Sequence, residues 1–339
     1  MKKEKITLKE IARLASVSPT TASLILNGKG QRMSQETIDR VNKVVEQYHY
    51  VPDFYAQRMT TKEAKMIGVI LPDLTDFFFA KLLQGIERAA AKEGYSILLM
   101  HSHHSKEKEE EALQTMISRS VDGIILATPY LVDGELFNQV KKICPIILID
   151  NRNNPRKEAI IYVDEQKGMA DMVHYLYECG HRHIAFLKED QCYYQLNYRF
   201  QGFKETMEQL GIFNEQLIVE TPLSVAGGYI GTKKLLQKKT PFTAVICAND
   251  HLAIGAYRSL FEEGKQIPED ISIVGFDNID IAAYLTPALT TVNQPIEALG
   301  TSAINHLIEK IQHPESPIAN EELKTTLCIR DSVIKRKSH

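Results

Sequence analysis

Along the first fifty residues, apolar positions recur every three or four places. Leu8, Ile11, Ala12 and Ala15 fall on one face of a helix, and Ile38, Val41, Val45 and Tyr48 repeat the spacing further on. Polar residues mark where those helices begin. Thr7-Leu8-Lys9-Glu10 has the form of a capping box, with the Thr7 hydroxyl accepting from the Glu10 N–H and the Glu10 carboxylate bonding back to the cap. Ser18 followed by Pro19 opens a second helix, through Thr20, Thr21, Ala22, Ser23, Leu24, Ile25 and Leu26 to Asn27-Gly28, a pair suited to a left-handed helix end. Ser34 opens the third. Three short helices joined by tight turns are therefore predicted, with small hydroxyl and methyl side chains on the second.

From Met66 onward the pattern changes to short, continuous apolar runs alternating with amphipathic helical stretches, as in a parallel sheet covered on both faces. Strands are predicted at 67–71, 96–101, 123–127, 146–150, 160–163, 183–187, 244–248, 271–276 and 290–292. Helices are predicted at 79–93, 106–119, 166–179, 198–210, 229–236 and 252–263, among others. That many units makes two similar α/β lobes. The strands run into polar residues (Pro72-Asp73, Thr128-Pro129, Asp150-Asn151, Asn249-Asp250, Asp277-Asn278), and ligands of open α/β sheets bind just outside such carboxyl ends.

Composition adds bounds. With 339 residues, 44% hydrophobic and 24% charged, the chain has room for two or three ordinary globular domains. No run approaches the roughly 18 apolar residues of a membrane span. The start Met1-Lys2-Lys3-Glu4-Lys5 leads into Lys9, Glu10 and Arg13 instead of an apolar signal core, so a cytoplasmic protein with no membrane partner is expected. Five scattered cysteines (Cys144, Cys179, Cys192, Cys247, Cys328) without a C-x-x-C pair read as buried free thiols. The net charge of −3 is uneven: residues 1–62 carry +5 and the remainder −8. A basic head on an acidic body points to a module for a polyanion joined to something else.

The same alternation suits a dinucleotide enzyme, but no G-x-G-x-x-G follows the first strand, which reads Ile70-Leu71-Pro72-Asp73-Leu74-Thr75, and no G-x-x-x-x-G-K-[ST] occurs. Gly227-Gly228-Tyr229-Ile230-Gly231 reads as a loop entering a helix with no apolar strand before it. His101-Ser102-His103-His104 and His181-Arg182-His183 read as solvated loops, and neither G-x-S-x-G nor H-E-x-x-H is present. No enzyme, metal or cofactor is expected.

Thr7-Leu8-x-x-Ile11-Ala12, Val17-Ser18, Thr21-x-Ser23, Asn27-Gly28 and Tyr50-x-Pro52, in this order and spacing, make the head similar to the helix-turn-helix of the lac repressor (LacI/GalR) family of bacterial transcription regulators. Ile67-Gly68-Val69-Ile70, Asp122-Gly123-Ile124-Ile125, Arg199-x-x-Gly202-Phe203, Ala248-Asn249-Asp250, Val274-Gly275-Phe276-Asp277-Asn278 and Leu289-Thr290-Thr291-Val292-x-Gln294-Pro295 extend the resemblance over nearly the whole chain. It implies a helix-turn-helix domain at 1–52, a hinge at 53–65 and a body at 66–339 like periplasmic sugar-binding proteins. One lobe would span about 66–163 plus 293–327 and the other about 164–292 plus 328–339.

The resemblance also implies roles. Pro19, Thr20 and Leu24 would choose the sequence of a pseudo-palindromic double-stranded operator, Leu24 offering only apolar contact where an Arg would grip guanine. Thr7, Thr21, Ser23, Asn27, Lys29 and Tyr50 would hold phosphates, although Ser23 and Asn27 equally suit capping and turning the chain. Met59 of the hinge would wedge between base pairs, with Ala56 and Gln57 facing the minor groove; a solvated linker is the alternative. In the cleft, Asp150, Arg199, Asn249, Asp277 and Gln294 would bind a small sugar or sugar phosphate as effector, with Phe78 and Phe79 stacking on it. Core packing for the phenylalanines, strand-end turns for Asn249 and Asp277, and an Asp150–Arg199 ion pair are the competing readings. Leu223 lies where some disaccharide binders present an indole, and the chain has no Trp. The expected protein is a homodimeric repressor of a carbohydrate operon; a phosphorylated carrier protein as co-repressor, or a purine effector, is the alternative.

Overall fold

The computed structural model describes residues 6–26, 28–50, 64–127, 135–150, 160–190, 198–317 and 319–336. They fall into two compact units, Met1–Ala64 and Lys65–His339.

In the first unit, α1 (Leu8–Leu14), α2 (Pro19–Leu26) and α3 (Gln35–Tyr48) surround a small core. Thr7 closes the predicted capping box: its Oγ1 accepts from the Glu10 N–H, and the Glu10 side chain takes the Thr7 N–H. The chain turns at Ser16, whose φ of 54° is left-handed, and the Ser18 hydroxyl caps α2 by accepting from the Thr21 N–H at 3.0 Å. Ile11, Ala12, Ala15, Ala22, Ile25 and Val41 are buried there. Tyr48, placed by spacing on the apolar face of α3, is exposed, because the helix ends at it and His49 turns the chain left-handed.

The second unit holds two six-stranded sheets. The first, in the order β11-β5-β4-β3-β1-β2, is built from β1 (Met66–Leu71), β2 (Ser96–His101), β3 (Gly123–Leu126), β4 (Ile146–Ile149), β5 (Ile160–Val163) and β11 (Glu321–Leu323), with every pair parallel. The second, in the order β12-β10-β9-β8-β6-β7, is built from β6 (Ile184–Glu189), β7 (Ile218–Thr221), β8 (Ala244–Cys247), β9 (Ser272–Asp277), β10 (Thr290–Asn293) and β12 (Thr326–Cys328). Only β12 runs antiparallel, against β10. Helices α4 (Phe77–Lys92), α5 (Lys106–Ser118), α6 (Glu135–Lys141) and α11 (Ile296–Gln312) cover the first sheet; α7 (Glu165–Glu178), α8 (Tyr198–Gln209), α9 (Val225–Gln237) and α10 (Asp250–Glu262) cover the second. Central strands such as β1, β3 and β4 are buried on both faces, which is why they read as unbroken apolar runs.

The chain passes between lobes three times: from β5 into α7, from β10 into α11, and from β11 into β12. Each lobe is therefore discontinuous, with β5 and β11 side by side at one edge of the first sheet and β10 and β12 at one edge of the second.

Some expectations need correction. β7, β11 and β12 were not predicted, since β7 is short and half-buried and the other two have only three residues each. The Gly227–Gly231 stretch is not a loop: Ser224 caps α9, its hydroxyl accepting from the Gly227 N–H at 3.0 Å, and the glycines form the helix's first turns directly after β7. Gly228 brings α9 against α10, since a Cβ there would sit 2.0 Å from the Leu252 carbonyl oxygen, while Gly227 and Gly231 face Pro222 and Thr221. His181 is not solvated either. It is buried, its ring nitrogens bonded to the Thr243 hydroxyl at 2.8 Å and the Ile334 carbonyl at 3.1 Å, tying the C-terminal segment to the second lobe.

Candidate functional site

On the head, Pro19, Thr20 and Lys29 are exposed and Ser23, Leu24 and Tyr50 half-buried. The Thr7 hydroxyl is engaged by Glu10, and the Thr21 hydroxyl lies 2.9 Å from that of Ser18. Both therefore shape helix ends before they touch anything else. Lys9, Arg13, Lys29, Arg32, Arg40 and Lys43 are exposed and supply positive charge to the head. Asn27, Ala56, Gln57 and Met59 lie outside the described residues.

In the second unit a cleft of about 310 Å³ opens between the carboxyl ends of the two sheets. From the first lobe it is lined by Pro72 and Asp73 after β1, Asp76, Phe78 and Phe79 at the start of α4, His104 after β2, Ala127 after β3, and Ile149 and Asp150 ending β4. Across it stand Glu165, Glu189 and Asp190 after β6, Tyr198 and Arg199 opening α8, Leu223 and Ser224 after β7, Ala248 and Asn249 after β8, and Asp277 ending β9.

Arg199 organises the cleft. Its Nε donates to Glu165 Oε1 at 2.8 Å, its Nη1 to the Ala248 carbonyl at 2.7 Å, and its Nη2 lies 3.1 Å from Asp277 Oδ1. The plane of the guanidinium rests over the Phe276 ring, 4.2 Å from its centroid. The guanidinium is thereby held rigid along its edge and against one face. Burial alone would lower the pKa of Arg199, but Asp277 and Glu165 outweigh it and hold the charge on.

Asp277 is buried, which drives its pKa well above the carboxylate range despite Arg199. Its φ of 107° is a conformation L residues rarely adopt. Such strain at a strand end, held by its surroundings, is characteristic of ligand contacts. Gln294 is buried behind it and donates Nε2 to Asp277 Oδ1 at 2.6 Å, so it orients Asp277 and is not part of the cleft lining. Asp150, also left-handed at 54°, accepts from the Val163 N–H at 3.1 Å. The ion pairs of Arg199 are made with Glu165 and Asp277, in place of the contemplated pairing with Asp150. Asn249 caps α10 through its carboxamide oxygen, at 3.0 Å from the Leu252 nitrogen, which leaves its NH2 group for a ligand. Phe78 and Phe79 meet edge to face at 5.1 Å, lining the cleft while also packing on the first lobe's core.

Sequence reasoning missed Glu165, Glu189, Asp190, Asp76, Tyr198 and His104 as lining groups. Glu189-Asp190 carried the same strand-end signal as the pairs singled out, while Glu165 and Asp76 sit at helix starts and reach the cleft only through the packing of the lobes. Burial raises Glu189 to about 7, partly offset by Arg199, and lowers His104. Among the described residues the cleft holds seven carboxylates against one arginine. None of the described residues forms a group of three or more His, Cys, Asp or Glu able to hold a metal, and no described helix is long and apolar enough to cross a membrane.

Comparison with known proteins covers both units. Residues 7–53 match the bacterial regulatory proteins of the lacI family, and residues 173–333 match the periplasmic binding protein-like domain. The ribose operon repressor of Haemophilus influenzae is 30% identical over 335 residues, 98% of this chain and 99% of its own. The crystal structure of the lac repressor dimer bound to operator and an anti-inducer superposes with a TM-score of 0.88 at 25% identity, covering 98% of this chain and all of the other. A LacI family regulator from Enterococcus faecium with bound ribose matches at 34% identity and a TM-score of 0.73, over 80% of this chain and all of its own.

Proposed function

Because this chain belongs to the lacI family of bacterial regulatory proteins, we propose that it is a dimeric repressor of a carbohydrate operon, controlled by a small neutral sugar in the interlobe cleft. It is a DNA-binding transcriptional regulator with a helix-turn-helix head and a two-lobed effector body. Non-enzymatic action in the cytoplasm follows from that role. The observation that carries the effector reading is the Arg199 clamp, flanked by Asp277, Asn249 and Asp150 and faced by Phe78 and Phe79. Carboxylates and a carboxamide suit hydroxyl groups, and the phenyl rings suit the C–H face of a pyranose or furanose. One arginine among seven carboxyl groups, already paired with Glu165 and Asp277, disfavours a phosphorylated sugar, whose dianion would compete with those two carboxyl groups for it.

The cleft also connects to the crossings. Asp150 holds the Val163 N–H at the end of β5, and Asp277 is held by Gln294 just after β10. A ligand pulling on either carboxylate acts on a strand that joins the lobes. The effector then shifts the lobe equilibrium only by its difference in affinity for the two arrangements, typically 1–3 kcal/mol of coupling. In this reading the hinge transmits that shift to the head, with Met59 as its wedge and Ala56 and Gln57 beside it.

A thermal-shift screen of the full chain against pentoses, hexoses, their phosphates and purine bases tests the proposal. A ligand at about 100 times its dissociation constant adds about 2.7 kcal/mol. A free sugar that raises the melting temperature, with the shift lost in Arg199→Ala, is the expected result. A response confined to purines or to sugar phosphates would overturn the effector assignment, and silence across the panel would move it to a protein co-repressor.

A further inference from the structure

α2, the second helix of the helix-turn-helix head, has an unusual chemical poverty. Its sequence, PTTASLIL, contains no Lys, Arg, Asn, Gln, Asp or Glu. Ala22 and Ile25 are buried in the head's core and Leu26 packs against it. The Thr21 hydroxyl is bonded to the cap residue Ser18. Thr20, exposed, and Leu24, half-buried and four residues on, fall on one side of the helix outside the head's core cluster, with the half-buried Ser23 beside Leu24.

Major-groove discrimination depends on what such side chains can do. Guanine is gripped by Arg or Lys, adenine by Asn or Gln, and cytosine by a carboxylate acceptor. None of these groups is present on α2. The one apolar mark in the major groove is the thymine 5-methyl group, which suits an isobutyl side chain and the methyl of threonine. Burying a methyl there gains free energy, while a cytosine or an adenine at the same place leaves Leu24 against polar edges. The basic residues around the helix, Lys29 and Arg32 among them, provide affinity without sequence information.

We infer that α2 reads its operator through thymine methyl groups, with Leu24 as the principal specificity residue and Thr20 beside it. This rests on the DNA-binding reading of the head. Each half-site would carry a T·A pair, not a G·C pair, opposite Leu24.

The test begins with enrichment of bound duplexes from a randomised DNA pool by the full-length protein, followed by titration of the best site with one thymine at a time replaced by deoxyuracil. An invariant T·A pair in each half-site is expected, and its uracil form binds about fourfold more weakly per half-site, the effect of one lost methyl contact. That penalty disappears in Leu24→Ala, and Leu24→Arg shifts the enriched base toward guanine. Because the uracil substitution alters only the DNA, it reads the contact even if a variant head folds poorly. A specific site in which every thymine tolerates uracil, or in which the penalty persists in both Leu24→Ala and Thr20→Ala, overturns the inference while DNA binding stands. A pool that shows no enrichment overturns both.

Discussion

Buried polar side chains decide much of this molecule's behaviour, and His181 is the clearest case. Burial, with help from Arg336 and Arg182, lowers its pKa to about 4 against the pull of the Ile334 carbonyl. The unfolded value is about 6.5. The fold therefore favours the neutral ring, and the stability this contributes is complete above about pH 6.5 and lost as pH falls toward 4. The size is on the order of 3 kcal/mol. Buried acids work the other way: Asp250, raised to about 7 by burial against hydrogen bonds from Thr291 and Ile279, makes the fold less stable as pH rises from about 4 to 7. Urea unfolding at pH 7 and pH 4.5 separates the two. The advantage of the native chain over His181→Gln is expected to shrink at the lower pH; an advantage independent of pH would mean that the ring is not held neutral.

At the scale of elements, close helix packing follows from missing side chains. α9 and α10 approach through Gly228 and Gly255; a Cβ on Gly255 would lie 1.9 Å from the Val225 carbonyl oxygen and 2.5 Å from the Tyr229 nitrogen. Both obstacles are backbone, so the helices would have to separate. Gly255→Ala is expected to cost about 1–3 kcal/mol, seen as a lower denaturation midpoint with an unchanged slope. This is also where sequence reading failed most instructively. Glycines inside a helix lower its intrinsic propensity, so the 227–231 stretch read as a loop, and only the neighbouring helix explains why it is not one. The strands of the central sheet were legible because burial on both faces demands unbroken apolar runs. β11 and β12, as edge strands three residues long, place no such demand on their sequence.

The whole molecule joins a basic head to an acidic body, +5 against −8 across residue 62. Its affinity for operator DNA should therefore depend on counterion release from phosphates, with the body's charge adding repulsion at low salt. Binding titrations between 50 and 200 mM salt are expected to show a log–log slope near −0.9 for each phosphate engaged, with several engaged per dimer. A flat response would remove phosphate contacts as the main source of affinity. Under the proposed control by an effector, the crossings are the connections between lobes, and the cleft carboxyl groups Asp150 and Asp277 are bonded to Val163 of β5 and to Gln294 just after β10.

The sequence alone determined the helix-turn-helix, the alternation of strands and helices, the strand-end carboxylates and the charge asymmetry. These rest on local rules: caps, periodicity and backbone covering act between residues close along the chain. Asn249 and Asp277 were also legible as strand-end residues and Arg199 through the family resemblance, and all three line the cleft. Only the tertiary structure decided that Arg199 pairs with Glu165 and Asp277, that Gln294 stands behind Asp277, that Glu189 and His104 face the cleft, and that His181 is buried. The pairings join residues 17 or more positions apart around the second sheet, the cleft lining comes from both lobes, and no local pattern along the chain encodes a distance that exists only once these elements have packed.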